Sequence, residues 1–435
     1  MSLPPGPGAP PAVQTMRWVV RPIPFMQQAR RQFGEAFSVR FVGFKDPMVM
    51  VSDPDLIKTV YSNPANPLPP GRIALLEPIL GKKSVILLDG KEHLARRKLM
   101  LPAFHGERMR SYQQVMEEAI NHDIDTWPVD TPFAIHTHMQ SVTLEVILRA
   151  VFGATEGDRL DRLRYLLART LDDTASNGWQ FLSLVARRFG QDVSKPGFED
   201  LLSQVNEELA GLIAEVRIDP ELEQREDILS MMAAAEFADG GRMDESELRD
   251  QLMSLLVAGH ETTATALAWT FDLLLRSPDV MARLKAELAA GDDEYLRATI
   301  TESLRLRPVI PIAGRILDEP VEIDGFHLEA GTNVAPSMWL AHTRADSFPD
   351  PLAFKPERFL DDPPETYSWI PFGGGVRRCL GAAFAEFEMR VVLSEVLTRC
   401  DLRLADKAPQ HVGRRNITLS PKEGTPVVMT GRRDP

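Results

Sequence analysis

The sequence predicts a mainly α-helical fold with small β-sheets at its margins, on three observations. Helical spacing of apolar residues dominates from about residue 92 to 306, broken only by short Pro/Gly/Asp punctuation. A second helical pattern runs cleanly from about Leu380 to Cys400. Strand-like runs are short and lie outside these blocks. They are FSVRFVGF and PMVMVSD, a hairpin flanking Lys45-Asp46, then residues 319–335 with turns at Asp324-Gly325 and Ala330-Gly331, and the stretch after Cys400.

The chain opens with MSLPPGPGAPPAVQ, whose Pro/Gly content predicts a flexible leader over residues 1–15, followed by RWVVRPIPF, interrupted at Arg21, Pro22 and Pro24. No linker or internal repeat divides residues 16–435, and residues 340–378 are irregular and rich in Pro and Gly ahead of a glycine-rich loop. This pattern predicts a single α-rich domain built around something held inside it. The 435 residues are 44% hydrophobic and 26% charged, enough for a sizeable core, and the net charge of -13 argues against a nucleic-acid partner. No apolar run reaches about 18 residues, the length of a membrane span. Two cysteines in so long a chain exclude a disulfide framework and fit a reducing, cytoplasmic setting.

The strongest local signal is Phe372-Gly373-Gly374-Gly375-Val376-Arg377-Arg378-Cys379-Leu380-Gly381. Consecutive glycines let a backbone approach a flat ligand and take positive φ. Cys379 falls at the first turn of the 380–400 helix, where free N–H groups lower a thiol's pKa and favour a thiolate. The bland alternative is a turn with an incidental cysteine. Cys400, among Leu397 and Leu402, reads as a small core residue.

The longest helix runs from a capping box at Asp244 and Glu247 to Ser277-Pro278, roughly 30 residues or about 45 Å. Its apolar middle is interrupted by Gly259-His260-Glu261-Thr262-Thr263. A buried carboxylate and hydroxyl cost several kcal/mol unless bonded or functional. Helix physics leaves two accounts open. In one, Thr262 bonds back to a carbonyl one turn earlier and Glu261 pairs with a buried base; in the other, both serve chemistry.

Together the two segments resemble known signatures. Phe-x-x-Gly-x-Arg-x-Cys-x-Gly is similar to the haem-binding signature of the cytochromes P-450, and Ala-Gly-x-Glu-Thr-Thr to their oxygen-activation motif. Glu302 and Arg305, followed by Arg307-Pro308 and then Pro356-Glu357-Arg358-Phe359, resemble the family's structural triad of Glu302, Arg305 and Arg358. Other Glu-x-x-Arg pairs lack this context. The resemblance covers roughly residues 35–430.

The resemblance implies a triangular, mostly helical prism enclosing haem b, with Cys379 as axial iron ligand and residues of the Phe372, Gly373, Gly381 and Ala258 type against the cofactor. His93, Arg97, Arg315 and Arg377 fall where the family places contacts to the haem propionates. In the long helix, a bulge at Gly259 would make room for dioxygen, Thr262 would hydrogen-bond the activated oxygen, and Glu261 would relay protons. Ser84, Val85, Ile86, Ala258, Thr262, Ile310, Ile312 and Ile417 fall at positions that meet substrate, so a lipophilic fatty acid, terpenoid, steroid or polyketide is expected.

The implied activity is that of a monooxygenase using O2, with electrons from a separate ferredoxin and ferredoxin reductase. Arg96, Lys98, Arg108, Arg110 and Arg378 would form the basic docking patch. Two rival readings are a peroxide-driven peroxygenase, disfavoured by the intact Glu261-Thr262 pair, and a haem-based sensor, which needs no proton relay.

Overall fold

The computed structural model describes residues 3–62, 76–106, 108–153, 157–174, 196–360, 365–415 and 417–434. The Pro/Gly-rich start is not a loose leader: α1 (Pro11–Val20) begins within it, with Pro11 at a helix position that needs no N–H donor. Gln14 is buried and donates to Pro7 O and Ala9 O while accepting from Arg40 N, and Ser38 N donates to Pro5 O. The carbonyls of this proline-rich segment thus find partners, Pro5 O on the adjoining sheet and Pro7 O and Ala9 O on Gln14. The chain then breaks at Arg21 and re-enters helix as α2 (Pro22–Phe33).

The expected first hairpin forms as β1 (Ala36–Val39) and β2 (Met48–Val51), paired antiparallel. Asp53 caps α3 (Pro54–Tyr61), its carboxylate accepting from the N–H groups of Asp55 and Leu56. Helices α4 (Gly90–Met100), α5 (Arg108–Asp125), β3 (Pro132–Ala134), α6 (Ile135–Phe152), α7 (Asp158–Thr174), α8 (Phe198–Arg217) and α9 (Ile228–Ala234) follow. The longest helix, α10 (Glu245–Leu275), has 31 residues and is capped by Asp244, which accepts from Glu247 N at 2.8 Å. The capping box is only half formed: the Glu247 carboxylate receives Arg96 Nε at 2.6 Å.

Then come α11 (Pro278–Ala289), α12 (Glu294–Leu306), β4 (Arg315–Ile316), β5 (Val321–Ile323), β6 (Phe326–Leu328), β7 (Asn333–Pro336) and the short α13 (Met338–His342). The β5–β6 turn has Asp324 and Gly325 both at positive φ (52° and 75°), as a two-residue hairpin requires. Helix α14 (Ala382–Arg399) and strands β8 (Cys400–Leu404), β9 (Val412–Arg415), β10 (Thr418–Pro421) and β11 (Pro426–Arg432) complete the chain.

The sheets are marginal, as expected. The largest has the order β1-β2-β7-β4, with β2 and β7 parallel, so residues 285 positions apart pair from Met48–Asn333 to Val51–Pro336. The main core lies around α10, which packs along α6 on one side and meets α12, α14 and β10 on others. Nearly every α10 residue from Leu248 to Leu274 is buried, so its low amphipathicity is that of a central helix. The pattern opens mid-helix, where Ala258 is exposed and Leu255, Val257, Gly259 and Thr262 are half-buried. That open stripe in the middle of a buried helix locates the site.

Candidate active site

The loop ahead of α14 is folded onto itself and onto α3. Cys379 N donates to Phe372 O at 2.9 Å and Arg378 N to Gly375 O at 3.1 Å. Gly373 and Gly375 take φ of 68° and 66°, which side chains disfavour. The glycines, however, make room for protein. A Cβ on Gly374 would lie 2.5 Å from the Tyr61 ring and one on Gly375 2.4 Å from Tyr61 O. Gly374 and Gly375 thus admit the close approach of α3.

Cys379 also sits further out than expected. Helix α14 begins at Ala382 with Gly381 as its cap, so the thiol precedes the first turn. Its pKa is raised, chiefly because burial within surrounding protein penalises the charge. The Gly381 N–H, Arg97 and Arg378 oppose this without reversing it. A cation beside the sulfur is therefore what would make it a thiolate. Cys379 lies deep among protein atoms yet keeps an open surface, whereas Cys400 is covered and held protonated, its pKa pushed up to about 11.

Three guanidinium groups and one neutral imidazole from three separate segments meet near this loop. His93 and Arg97 come from α4, Arg315 from β4 and Arg377 from the loop itself. The pKa of His93 is driven down to about 4 by burial and then by Arg377, Arg97 and Arg315. Burial likewise lowers Arg315, and lowers Arg377 to about 10. Arg377 is tied to Leu88 O and the Asp89 carboxylate. Arg315 is buried, its Nε has no partner, and its Nη1 reaches only Gly314 O. Buried guanidinium groups crowded in this way call for anions.

The triad is brought together. Arg305 and Glu302 are fully buried, with Arg305 Nε 2.6 Å from Glu302 Oε2 and Nη2 2.8 Å from Oε1. Arg358 Nε reaches Oε1 at 3.2 Å, as does Lys355 N at 2.9 Å. Arg305 also donates to His342 O, Pro351 O and Ala353 O, so it stitches α12 to the irregular segment that precedes the cysteine loop. His342 extends the network: its Nδ1 faces Arg305 O at 3.1 Å and its Nε2 receives Ile370 N at 2.8 Å, which fixes a neutral tautomer.

On α10, backbone helix is continuous through Gly259–Thr263. Gly259 faces α6, where a Cβ would come within 3.2 Å of Ile147. Its smallness thus serves helix–helix packing, in place of the expected bulge. Thr262 Oγ1 donates to Ala258 O at 2.7 Å. Glu261 is buried and held by Gln140, Thr265 and Arg415.

A model of the family described as Cytochrome P450 matches residues 4–427 of this chain. The chain belongs to the cytochrome P450 family. Cytochrome P450 135B1 of Mycobacterium tuberculosis is 38% identical over 441 residues, covering 100% of this chain and 93% of that protein. Cytochrome P450 137 of the same organism is 37% identical over 398 residues, covering 91% and 83%. Among solved structures, the retinoic acid-bound cyanobacterial CYP120A1 superposes with a TM-score of 0.84 at 23% identity over 99% of this chain and 100% of that one. The heme domain of cytochrome P450DA does so at 0.86 and 21%, over 100% and 98%.

P450s are monooxygenases that carry haem with its iron bound by a cysteine thiolate. The residues present fit that group: an accessible cysteine in a rigid loop, and buried cations with too few anions to match the haem propionates. No described helix of this P450 is long and apolar enough to cross a membrane.

Other sequence-derived positions divide. Phe372 is half-buried against Trp369. Ser84 is fully buried, its hydroxyl 2.6 Å from that of Ser254, and Val85 is buried with its N–H on Gln251. Both fasten the 81–86 segment to α10. Ile312 packs on the N-terminal cluster of Trp18 and Phe25. Ile86, Ile310 and Ile417 are half-buried. Of the basic patch, Arg96 is taken by Glu247 and stacks on Phe237, and Arg108 lies on Glu226 O and Met231; Lys98, Arg110 and Arg378 are exposed.

Sequence reasoning missed Tyr61, His136, Gln140, His342 and Arg415, none of which stands in a recognisable motif. It also missed Glu388, a fully buried carboxyl on α14 that bonds Thr263 and whose pKa burial raises well above the usual carboxylate range.

Proposed function

We propose that this P450 binds haem b through Cys379 and oxidises a lipophilic small molecule with O2. The observation that carries the reading is the convergence of His93, Arg97, Arg315 and Arg377 beside the cysteine loop, with Arg315 buried and its Nε unpartnered. These four would hold the two propionates, and Phe372, Gly373, Gly381 and Ala258 would bound the macrocycle. When bound, haem supplies the oxygen-activating chemistry. Glu302, Arg305 and Arg358 keep the segment before the loop in register, so the sulfur is presented from a fixed backbone.

Thr262 offers a hydroxyl on the open stripe of α10, and Glu261 holds or gives up a proton one residue away. Ile86, Ile310 and Ile417 supply half-buried apolar surface without a formal charge, which favours a fatty acid, terpenoid, steroid or polyketide-like substrate. Electrons would come from a ferredoxin and its reductase, docked on Lys98, Arg110 and Arg378, the exposed remainder of the basic patch. Two cysteines without a disulfide fit a cytoplasmic enzyme of one domain.

The test is optical. The reduced, carbon monoxide-treated protein should give a thiolate-ligated Soret band, and Cys379→Ser should lose it; retention would refute the ligand assignment. Titration of the ferric protein with lipophilic compounds should blue-shift the Soret band for substrate-like members. Thr262→Ala should divert electrons from product to peroxide. Unchanged product yield would count against the relay, and peroxide-driven turnover faster than electron-driven turnover would favour a peroxygenase.

A further inference from the structure

Glu261 does not meet Thr262 in the resting protein. The Thr262 hydroxyl is bonded to its own helix at Ala258 O. Both carboxylate oxygens of Glu261 are engaged on other flanks. Oε2 accepts from Gln140 Nε2 on α6 at 2.7 Å. Oε1 lies 3.3 Å from Arg415 Nε on β9, 3.3 Å from Thr265 Oγ1 on its own helix and 3.7 Å from His136 Nε2 on α6. Glu261 is buried and the Arg415 side chain is 25% exposed, so the pair is only partly screened.

His136 does not share the charge load. Burial, then Arg415 and His260, drive its pKa down to about 3, and its ring is neutral at physiological pH. Arg415 therefore brings the formal positive charge that faces Oε1. Its backbone is fixed by register: Arg415 is paired with Thr418 across β9 and β10, and Thr418 Oγ1 donates to Arg415 O at 2.7 Å. Ile417, expected to meet substrate, lies on that same short connection.

We propose that Arg415 is a positioning residue that holds Glu261 in a resting orientation turned from Thr262, and ties it to the β9–β10 connection that carries Ile417. This rests on Glu261 being the relay acid. The carboxylate must leave Arg415 to serve Thr262, so an ion pair stands between the empty pocket and proton delivery. Substrate-free electron consumption is thereby restrained, and movement of the connection by a pocket ligand changes the restraint.

The experiment uses the haem-loaded protein with a supplied ferredoxin and reductase and no substrate. It follows the uncoupled reaction, NADH + H⁺ + O2 giving NAD⁺ + H2O2. Arg415→Gln should raise the substrate-free rate by about three- to tenfold, the scale set by loss of one partly exposed ion pair. Arg415→Lys should fall between, since it keeps the charge but moves it away from the position of Nε. An unchanged or lower rate in both variants, with the thiolate carbon monoxide band intact, would overturn the proposal.

Glu261→Gln separates the two readings. If it leaves the solvent isotope effect on turnover unchanged, the relay role itself fails. If it alters that effect while the Arg415 variants behave as wild type, only the positioning role fails. Amide hydrogen exchange gives a readout independent of turnover: Glu261→Gln should speed exchange across residues 412–421. Unaltered exchange there would overturn the tie even if an Arg415 variant did not load haem.

Discussion

Replacing Glu302 by Gln keeps shape and volume but removes a charge from a site where Glu302 and Arg305 are both fully buried. Neither amide orientation restores the network. With its NH2 at the Oε1 position it would confront three donors, Arg305 Nη2, Arg358 Nε and Lys355 N. With NH2 at Oε2 it would confront Arg305 Nε, the shortest contact of the set. Either way the Arg305 charge stays buried without its counter-charge, at a cost of about 3–5 kcal/mol. For 435 residues, an unfolding entropy of about 2.1 cal/mol/K per residue gives about 0.9 kcal/mol per degree. The melting temperature of the haem-loaded protein should then fall by about 3–6 °C, read by calorimetry at neutral pH. Arg358→Lys, at a partly exposed position, should cost less than half as much. A Glu302→Gln melting temperature within about 1 °C of wild type, with thiolate ligation retained, would refute the argument that this buried charge is held by its partner.

Arg315→Met should leave the fold intact yet speed haem transfer to a scavenger apoprotein by about ten- to a hundredfold, reflecting loss of a charge-assisted bond to a propionate; equal retention would show that Arg315 holds no anion. His136 and His342 stay neutral in the folded chain to about pH 3, whereas unfolded rings take up protons near 6.5. Their contribution is complete above about pH 6.5 and is lost as pH falls toward 3, reaching about 2 kcal/mol each at pH 5. Unfolding midpoints that are flat between pH 7.5 and 5 would contradict this. Gly259→Val should destabilise by about 1–3 kcal/mol through overpacking on Ile147, and Ile147→Ala should recover part of that loss in the double variant. Additive losses in a thermal double-mutant cycle would mean that Gly259 has some other role.

The local motifs of this P450 were legible because their spacing is short-range. Cys379 and its glycines lie within ten residues, Glu302 and Arg305 share one helix turn, and a 31-residue helix announces itself by length and by Asp244. The helical blocks and marginal strands could be read from period and turn chemistry for the same reason. Wherever a side chain's role depends on what lies across the fold, local pattern was silent. The packing of Ile147 on Gly259 and of Tyr61 on the loop glycines has no local signature. Ser84 resembles a pocket residue until Ser254 takes its hydroxyl, and Arg96 a surface charge until Glu247 does. The proline-rich start reads as loose because proline lacks an N–H, yet Pro5 O and Gln14 find the sheet.

Sequence by itself determined which residues could do chemistry and the class of fold that carries them, since both follow from residue type and near-neighbour spacing. Tertiary structure decided their state. It raised the Cys379 thiol through burial where a helix terminus alone would lower it, neutralised His93, His136 and His342, and gave Glu261 its partners from α6 and β9. Desolvation and ion pairing depend on everything within a few ångströms, and most of what lies there is remote in the chain.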